Sequence, residues 1–499
     1  MENRIFDAII IGAGPAGIFT ALELTHLKPK SQVLIVDMGR AIAHRACPAR
    51  TTGKCVHCDP CGIVHGWAGA GAFSDGKLSL SDEVGGHISE YLGHPKAQEL
   101  IHQADELYLR FGAPKEVHGL DDKKVEEIAY EASRYNIRLV PCPVRHLGTE
   151  YAGSVLAAMH DYLTTQTHTT FAELTTATDI LVEDGRVTGV RLSPRKGEPW
   201  VAKSAHVIAA PGRGGAQWLS ETVSKLGLRT QNNEVDIGVR VEVPNAIMDH
   251  LTRDLYEAKL VYYSDTYENK VRTFCMNPGG EVSQEYYEGG IAVVNGHSYE
   301  DPEKRTGNTN FAMLVSTQFT EPFNQPIEYG RYIAQLGNML TGGPIMVQRL
   351  GDLLKGRRTD VKRLAKSTTI PTLSTAVPGD LSFVLPARHL TSIVEALKAF
   401  DHLAPGLYSQ NTLLYGVEVK FYSSKVLVDS HMETAIKGLF AAGDGAGITR
   451  GLMQAGVSGM VVADEVARRL KEAGAAAMGI SVDSLDAAKH DKFRGLPNA

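Results

Sequence analysis

The sequence predicts an α/β fold in which one parallel sheet is assembled from segments at both ends of the chain, with a second domain inserted between them. Three features carry this reading. Near the N-terminus, residues 5–37 read as strand, glycine turn, helix and strand. Near the C-terminus, residues 438–445 run a short apolar strand into a Gly-Asp turn that leads to a helix. Between them, residues 171–192 carry the short strands and tight turn of a three-stranded β-meander, and residues 200–210 add a strand returning to another glycine turn. Either glycine motif alone is ordinary. Together they predict a Rossmann-like FAD-binding domain with a three-stranded β-meander, interleaved with an α+β substrate domain.

In the first motif, Ile9, Ile10 and Ile11 continue an apolar run expected of a parallel strand covered on both faces. Gly12 permits the tight turn, Gly14 lets the backbone approach a pyrophosphate, and Gly17 lets the helix pack against the strand. Pro15 and Ala16 open that helix, whose free N–H groups point at the phosphates. Asp37 ends the second strand twenty residues after Gly17, the spacing of a carboxylate that accepts from a ribose hydroxyl. The motif by itself does not separate FAD from NAD. No second strand, glycine turn and helix occurs between residues 215 and 430, so no dedicated NAD(P)H domain is expected, and NAD(P)H enters only as a transient reductant.

The meander contributes Ala177, and the returning strand contributes Gly212, to the expected cofactor contacts. At the C-terminal motif, Gly443 and Asp444 are placed for the ribityl and pyrophosphate region. Gly451 and Leu452 begin a helix expected to run to about residue 470, whose N-terminal dipole faces the flavin pyrimidine ring and stabilises its reduced form.

Four of the six cysteines, Cys47, Cys55, Cys58 and Cys61, fall in one short block. The repeated two-residue gap is ligand spacing for an iron–sulfur cluster such as 4Fe-4S, and zinc would accept the same set. Cys55 and Cys58 also fit a redox dithiol, and four unligated thiols remain the plain reading. The block leads into a run of small residues in which Gly69, Ala70, Gly71 and Ser74 are expected to wall the pyrophosphate and isoalloxazine, with His65 at its start.

Composition sets the outer limits. A chain of 499 residues with 43% hydrophobic and 22% charged residues is expected to be a soluble multi-domain protein. Its net charge of −6 and lack of a basic stripe argue against nucleic acid as a partner. The N-terminal apolar run is short and enters turn chemistry, and no stretch approaches the ~18 apolar residues of a membrane span. A cytoplasmic location is expected. The chain is read as a first FAD-binding segment with the cysteine loop (1–81), a helical insertion (82–140), a second FAD-binding segment (141–235), a substrate or cap domain (236–425), a third FAD-binding segment (426–475) and a flexible tail (476–499).

Four stretches, residues 47–77, 274–280, 414–423 and 443–451, resemble the bacterial and archaeal family named only as FAD-dependent dehydrogenases. That group is related to glutathione-reductase-like flavoproteins and more distantly to geranylgeranyl reductases, and the resemblance spans most of the chain. It implies FAD and oxidoreduction, without a defined substrate. One departure is Asn277, where the family pattern carries a second cysteine, which speaks against a redox pair with Cys275. Within the substrate domain, Cys275, Lys420 and Tyr422 are the polar residues expected near the ring as proton donors or substrate clamps, with His297 a weaker candidate. The expected function is hydride transfer between a small organic substrate and FAD. The alternatives are electron exchange with a redox-protein or thiol partner through the cysteine block, and a non-catalytic FAD-containing RNA-binding or scaffold protein.

Overall fold

The computed structural model describes residues 4–476 apart from 49–55, 57, 75, 288, 289, 300, 320, 321, 324 and 421–423. Ala8–Ile11 is buried throughout and lies at the centre of a five-stranded parallel sheet, between Val33–Val36 and Val207–Ala209. Thr169–Ala172 extends one side and Leu439–Ala441 the other, so segments from both ends of the chain share this sheet. A parallel sheet must be covered on both faces, and the period-2 alternation shows how. Ala8 and Ile10 pack with Phe19 and Met460 of the helices Pro15–Leu27 and Leu452–Ala476, whereas Ile9 and Ile11 pack with Ile180, Val190 and Leu192 of the meander.

The meander is Thr175–Glu183, Arg186–Pro194 and Trp200–Lys203, and Arg4–Ile5 adds a parallel edge strand to it. Two expected strands are therefore cut. The run 5–11 breaks at Phe6 and Asp7, and the run 200–210 breaks at Ser204–His206, where both chains leave the meander and enter the parallel sheet side by side. Asp7 marks the crossing with its carboxylate accepting from Gln32 N at 2.8 Å, and Ser204 Oγ reaches the Asp7 carbonyl at 3.2 Å.

The second unit is an eight-stranded mixed sheet. Its order is Val377–Pro378, Met346–Arg349, Leu413–Lys420, Val235–Pro244, Asn308–Thr317, Lys270–Asn277, Leu260–Tyr263 and Ile137–Leu139. Ile237, Val239, Val241 and Val243 point to one face and share a core with Leu251, Ile393, Leu397 and Phe400 of the helices Asn245–Leu255 and Ala387–Phe400. The other face carries Asp236, Arg240, Glu242, Asn310, Glu418 and Lys420, all buried. The hairpin Glu281–Tyr287 and Ile291–His297 lies over part of that polar face, bringing Asn295 to Arg240. The segment 82–140, expected to be helical, contains the helices His94–Arg110 and Asp122–Ser133 and then the strand Ile137–Leu139. That strand pairs with Leu260–Tyr263, so the segment belongs in part to the second sheet. A three-residue strand paired so far along the chain leaves too short a local pattern to read.

Candidate functional site

The glycine segments converge on the C-terminal edge of the parallel sheet. Gly12 has φ +106°, and a Cβ there would lie 2.1 Å from the Ala210 carbonyl oxygen. A Cβ at Gly445 would lie 2.4 Å from the Gly212 oxygen, and one at Gly443 3.0 Å from the Ala16 Cβ. Gly17 is pressed against the Gly12 carbonyl in the same way. Bare backbone is what lets three distant turns occupy one place. By contrast, a Cβ on Gly14, Gly212 or Gly451 meets nothing within 4 Å, so these positions front open space.

The loop after the cysteine block closes on these turns. Ala68 N donates to the Ala13 oxygen at 2.6 Å, and Gly71 is wedged between Leu452 and Pro15, with its Cβ position 2.7 Å from Leu452 Cδ2 and 3.6 Å from Pro15 Cγ. Ala70 sits within the turn Gly69–Phe73, and Ser74 Oγ donates to the Gly71 oxygen at 2.9 Å and accepts from Gly76 N at 3.2 Å. Trp67 anchors the loop: fully buried, it donates to the Leu156 oxygen at 2.8 Å and meets His160 and Phe171 edge-on. Arg45 ties the loop to the cysteine segment by donating to the carbonyls of Gly62, Ile63, Trp67 and Gly69, with its guanidinium 4.9 Å from the Phe73 ring centroid. Burial lowers this guanidinium to about 10, with Asp37 opposing the shift.

Asp37 does more than its spacing indicates. Its Oδ1 accepts from Gly39 N at 2.8 Å and Gly66 N at 2.7 Å, and Oδ2 accepts from Ala13 N at 2.9 Å. One carboxylate thus fixes the first glycine turn and the later loop together, while Oδ2 keeps an acceptor position for a ribose hydroxyl. At the far motif, Asp444 Oδ1 accepts from Thr449 Oγ1 at 2.8 Å and Gly451 N at 3.2 Å, and Oδ2 faces Arg213 at 3.6 Å. Burial raises this carboxyl above its ordinary value, with Arg213 pulling the other way.

These residues fit FAD. The helix Pro15–Leu27 has no side-chain cap, and neither it nor Leu452–Ala476 has an acidic residue in its first turn, which leaves N–H groups for phosphate and for the electron-rich edge of the flavin. The glycines fronting open space supply the close backbone approach that a pyrophosphate needs.

The polar face of the second sheet adjoins the strand that follows the loop 66–74. Arg240, fully buried, donates to Glu418 at 3.0 Å, to Asn310 Oδ1 at 2.7 Å, to the Cys275 carbonyl at 3.2 Å and to Asn295 at 3.3 Å. Glu418 also holds Lys420 at 2.9 Å. Burial opposes the Lys420 charge, but Glu418 overrides it and keeps the ammonium well above its ordinary range. Burial raises the Tyr287 phenol above its ordinary value, with Lys420 pulling the other way. Lys77, three residues past Ser74, donates to the Met276 carbonyl and to Asn277 Oδ1, the latter at 2.8 Å. Cys275 lies at a β-bulge with φ +46°, its thiol 3.9 Å from Asn277 Nδ2.

The remaining candidates fall elsewhere. Tyr422 and Cys55 lie outside the described residues. Cys47, Cys58 and Cys61 form no disulfide with one another, and among the described residues no three His, Cys, Asp or Glu side chains gather to hold a metal. Ala177 pairs with Leu192, and its side chain is buried in the core between meander and parallel sheet rather than at the cleft. His297 pairs with Glu281 at the end of the hairpin, and His65 packs on Gly214 beside the Gly212 turn. Sequence reasoning missed Arg45, Arg240 and Glu418. The sequence pattern hid Arg240: it falls in the polar register of a strand whose other register is valine and isoleucine, which reads as a solvent-facing position, whereas the hairpin covers that face in the fold.

The family model that matches part of the chain agrees with the FAD fit. Residues 234–421 match the family model described as FAD-dependent protein, C-terminal domain-like. A curated relative, an uncharacterized protein of Clostridium beijerinckii, is 24% identical over 480 residues, covering 92% of this chain and 80% of its own length. Among solved structures, formate oxidase is 12% identical with a TM-score of 0.43, covering 95% of this chain and 100% of its own. A geranylgeranyl bacteriochlorophyll reductase-like protein from Thermoplasma acidophilum is 13% identical with a TM-score of 0.40, covering 95% and 80%. Glycine oxidase from Geobacillus kaustophilus is also 13% identical, with a TM-score of 0.38 and coverage of 93% and 95%. At these scores the structural likenesses carry no argument about activity. No helix among the described residues is long and apolar enough to cross a membrane.

Proposed function

We infer that this FAD-dependent protein is an oxidoreductase that moves two electrons, as a hydride, between a small organic substrate and N5 of the flavin. The observation that carries the inference is the meeting of three glycine turns at one place beside the uncapped N-terminus of the helix Pro15–Leu27, with the buried Arg240–Glu418–Lys420 network on the adjoining sheet. Bound FAD supplies the two-electron chemistry. The chain supplies the rest. The loop 66–74 shields one side of the cleft, and Asp37 and Arg45 hold that loop. Lys420, kept protonated by Glu418, serves as a hydrogen-bond donor and anion clamp rather than as a base. Electrons leave or enter in a second half-reaction through a redox protein or a transient nicotinamide. A cytoplasmic location belongs to the same proposal.

The test uses flavin-loaded protein under anaerobic conditions. It is mixed in turn with 2-hydroxy acids, amines and polyols in the oxidised state, and with activated alkenes after reduction, while the flavin absorption is followed. A saturable change of flavin oxidation state with one class, slowed at least tenfold by Lys420→Ala, is expected. Purified, folded protein that retains no flavin would overturn the reading.

A further inference from the structure

Beside the cleft lies a buried polar cluster that the proposed chemistry leaves unused. Lys77–Ser79 pairs with Val144–His146, and Lys77 and His146 are direct cross-strand partners immediately beyond the loop ending at Ser74. Tyr256 Oη stands 3.0 Å from His146 Nδ1 and 3.3 Å from Ser298 Oγ, and Ser298 Oγ lies 3.3 Å from His146 Nε2. His146 is 4% exposed, Tyr256 8% and Ser298 0%. Tyr256 holds φ +58°, a left-handed conformation that a bulky side chain adopts only where its surroundings compel it. Lys77 Nζ sits 5.6 Å from the centroid of the Tyr256 ring.

We propose that Tyr256 and His146 form a proton-transfer site serving the flavin cleft, taking up or releasing the proton that accompanies hydride transfer to or from the substrate. The proposal rests on the FAD reading above. In the oxidative direction a substrate C–H bond breaks with its electron pair leaving as hydride to the flavin. The adjoining O–H or N–H bond breaks as C=O or C=N forms, and its proton passes to Tyr256 Oη while the Tyr256 proton passes to His146. The reverse sequence applies in reduction.

The surroundings favour this pair over its neighbours. Lys420 is pinned in its charged form by Glu418. Glu257 is paired with Lys259 at 2.5 Å, and burial pushes the nearby Cys142 thiol up to about 11. Lys77 approaches from the glycine loop, and His118 stacks on Tyr256 at 4.9 Å. Of the two imidazoles beside the phenol, His146 is hydrogen-bonded to it, whereas His118 meets the face of its ring.

The test is a titration of flavin-loaded protein carrying 15N-labelled histidine, followed by NMR in the oxidised state and after anaerobic dithionite reduction, with the His146 signals assigned by His146→Gln. Negative charge added to the neighbouring cleft on reduction favours the protonated imidazole, so the His146 titration should move to higher pH in the reduced state. In a second measurement, proton uptake on reduction near neutral pH, read with an indicator dye, should be smaller in His146→Gln than in the parent. Identical His146 titrations in the two redox states, with flavin bound, overturn the proposal alone. Loss of flavin from the parent protein overturns the FAD reading and the proposal with it.

Discussion

A side chain at Gly14 would meet nothing in the protein, whereas one at Gly12 would strike the Ala210 carbonyl at 2.1 Å. The two substitutions therefore separate ligand from fold. Gly14→Val is expected to keep its melting temperature without cofactor yet lose bound flavin, and Gly12→Ala is expected to lose stability as well, by about 1–3 kcal/mol. Flavin release on denaturation and calorimetry of the flavin-free proteins check both. At the buried network, Glu418→Gln leaves Arg240 and Lys420 charged without their shared carboxylate, at a cost of about 3–5 kcal/mol in urea denaturation. Burial alone would raise the Glu418 carboxyl, but Arg240 and then Lys420 outweigh it and hold it below its ordinary 4.5. Its contribution is thus complete above that value and falls on acidification, so the gap between parent and variant should narrow as pH drops. The glycines and Asp37 were legible in the sequence because their spacing is local. Arg45 and Lys77 were not, since both are held by main-chain carbonyls whose positions only the tertiary fold decides.

The helices Pro15–Leu27 and Leu452–Ala476 bring the two ends of the chain together, and their closest approach is backbone on backbone. A Cβ at Gly459 would lie 2.1 Å from the Ala16 oxygen, and Thr20 Oγ1 bonds both the Ala16 and Gly459 carbonyls. Gly459→Leu should force the helices apart and lower both the melting temperature and flavin retention, as measured on one sample. The helix Ala387–Phe400 offers a pH test of the second unit. Burial, aided by Arg388, pushes the His389 imidazole down to about 4, while Thr317 Oγ1 lies 3.1 Å from its Nε2. The unfolded chain binds this proton below about 6.5, so stability should be full above that pH and fall by about 3 kcal/mol as pH approaches 4. His389→Gln should flatten that region of the profile. Strong periodic elements were readable from sequence, as with Val235–Pro244 and Pro326–Thr341. Short strands were not: the cuts near Asp7 and Ser204 and the strand Ile137–Leu139 depend on pairing with distant partners.

At the scale of the molecule, the parallel sheet takes strands from residues 8 to 441, and the FAD-dependent C-terminal domain family covers 234–421 between its last two strands. Cofactor binding should therefore stabilise the chain as a whole, raising its melting temperature with FAD concentration as a ligand bound only to the native state does. An absorption spectrum of anaerobically purified protein, with flavin, iron and zinc quantified on the same sample, decides whether the cleft holds FAD. Oxidised flavin bands with about one FAD per chain, lost in Gly14→Val while the fold persists, are the predicted result. A folded parent protein without flavin, or a Gly14→Val variant that binds flavin as the parent does, would contradict it.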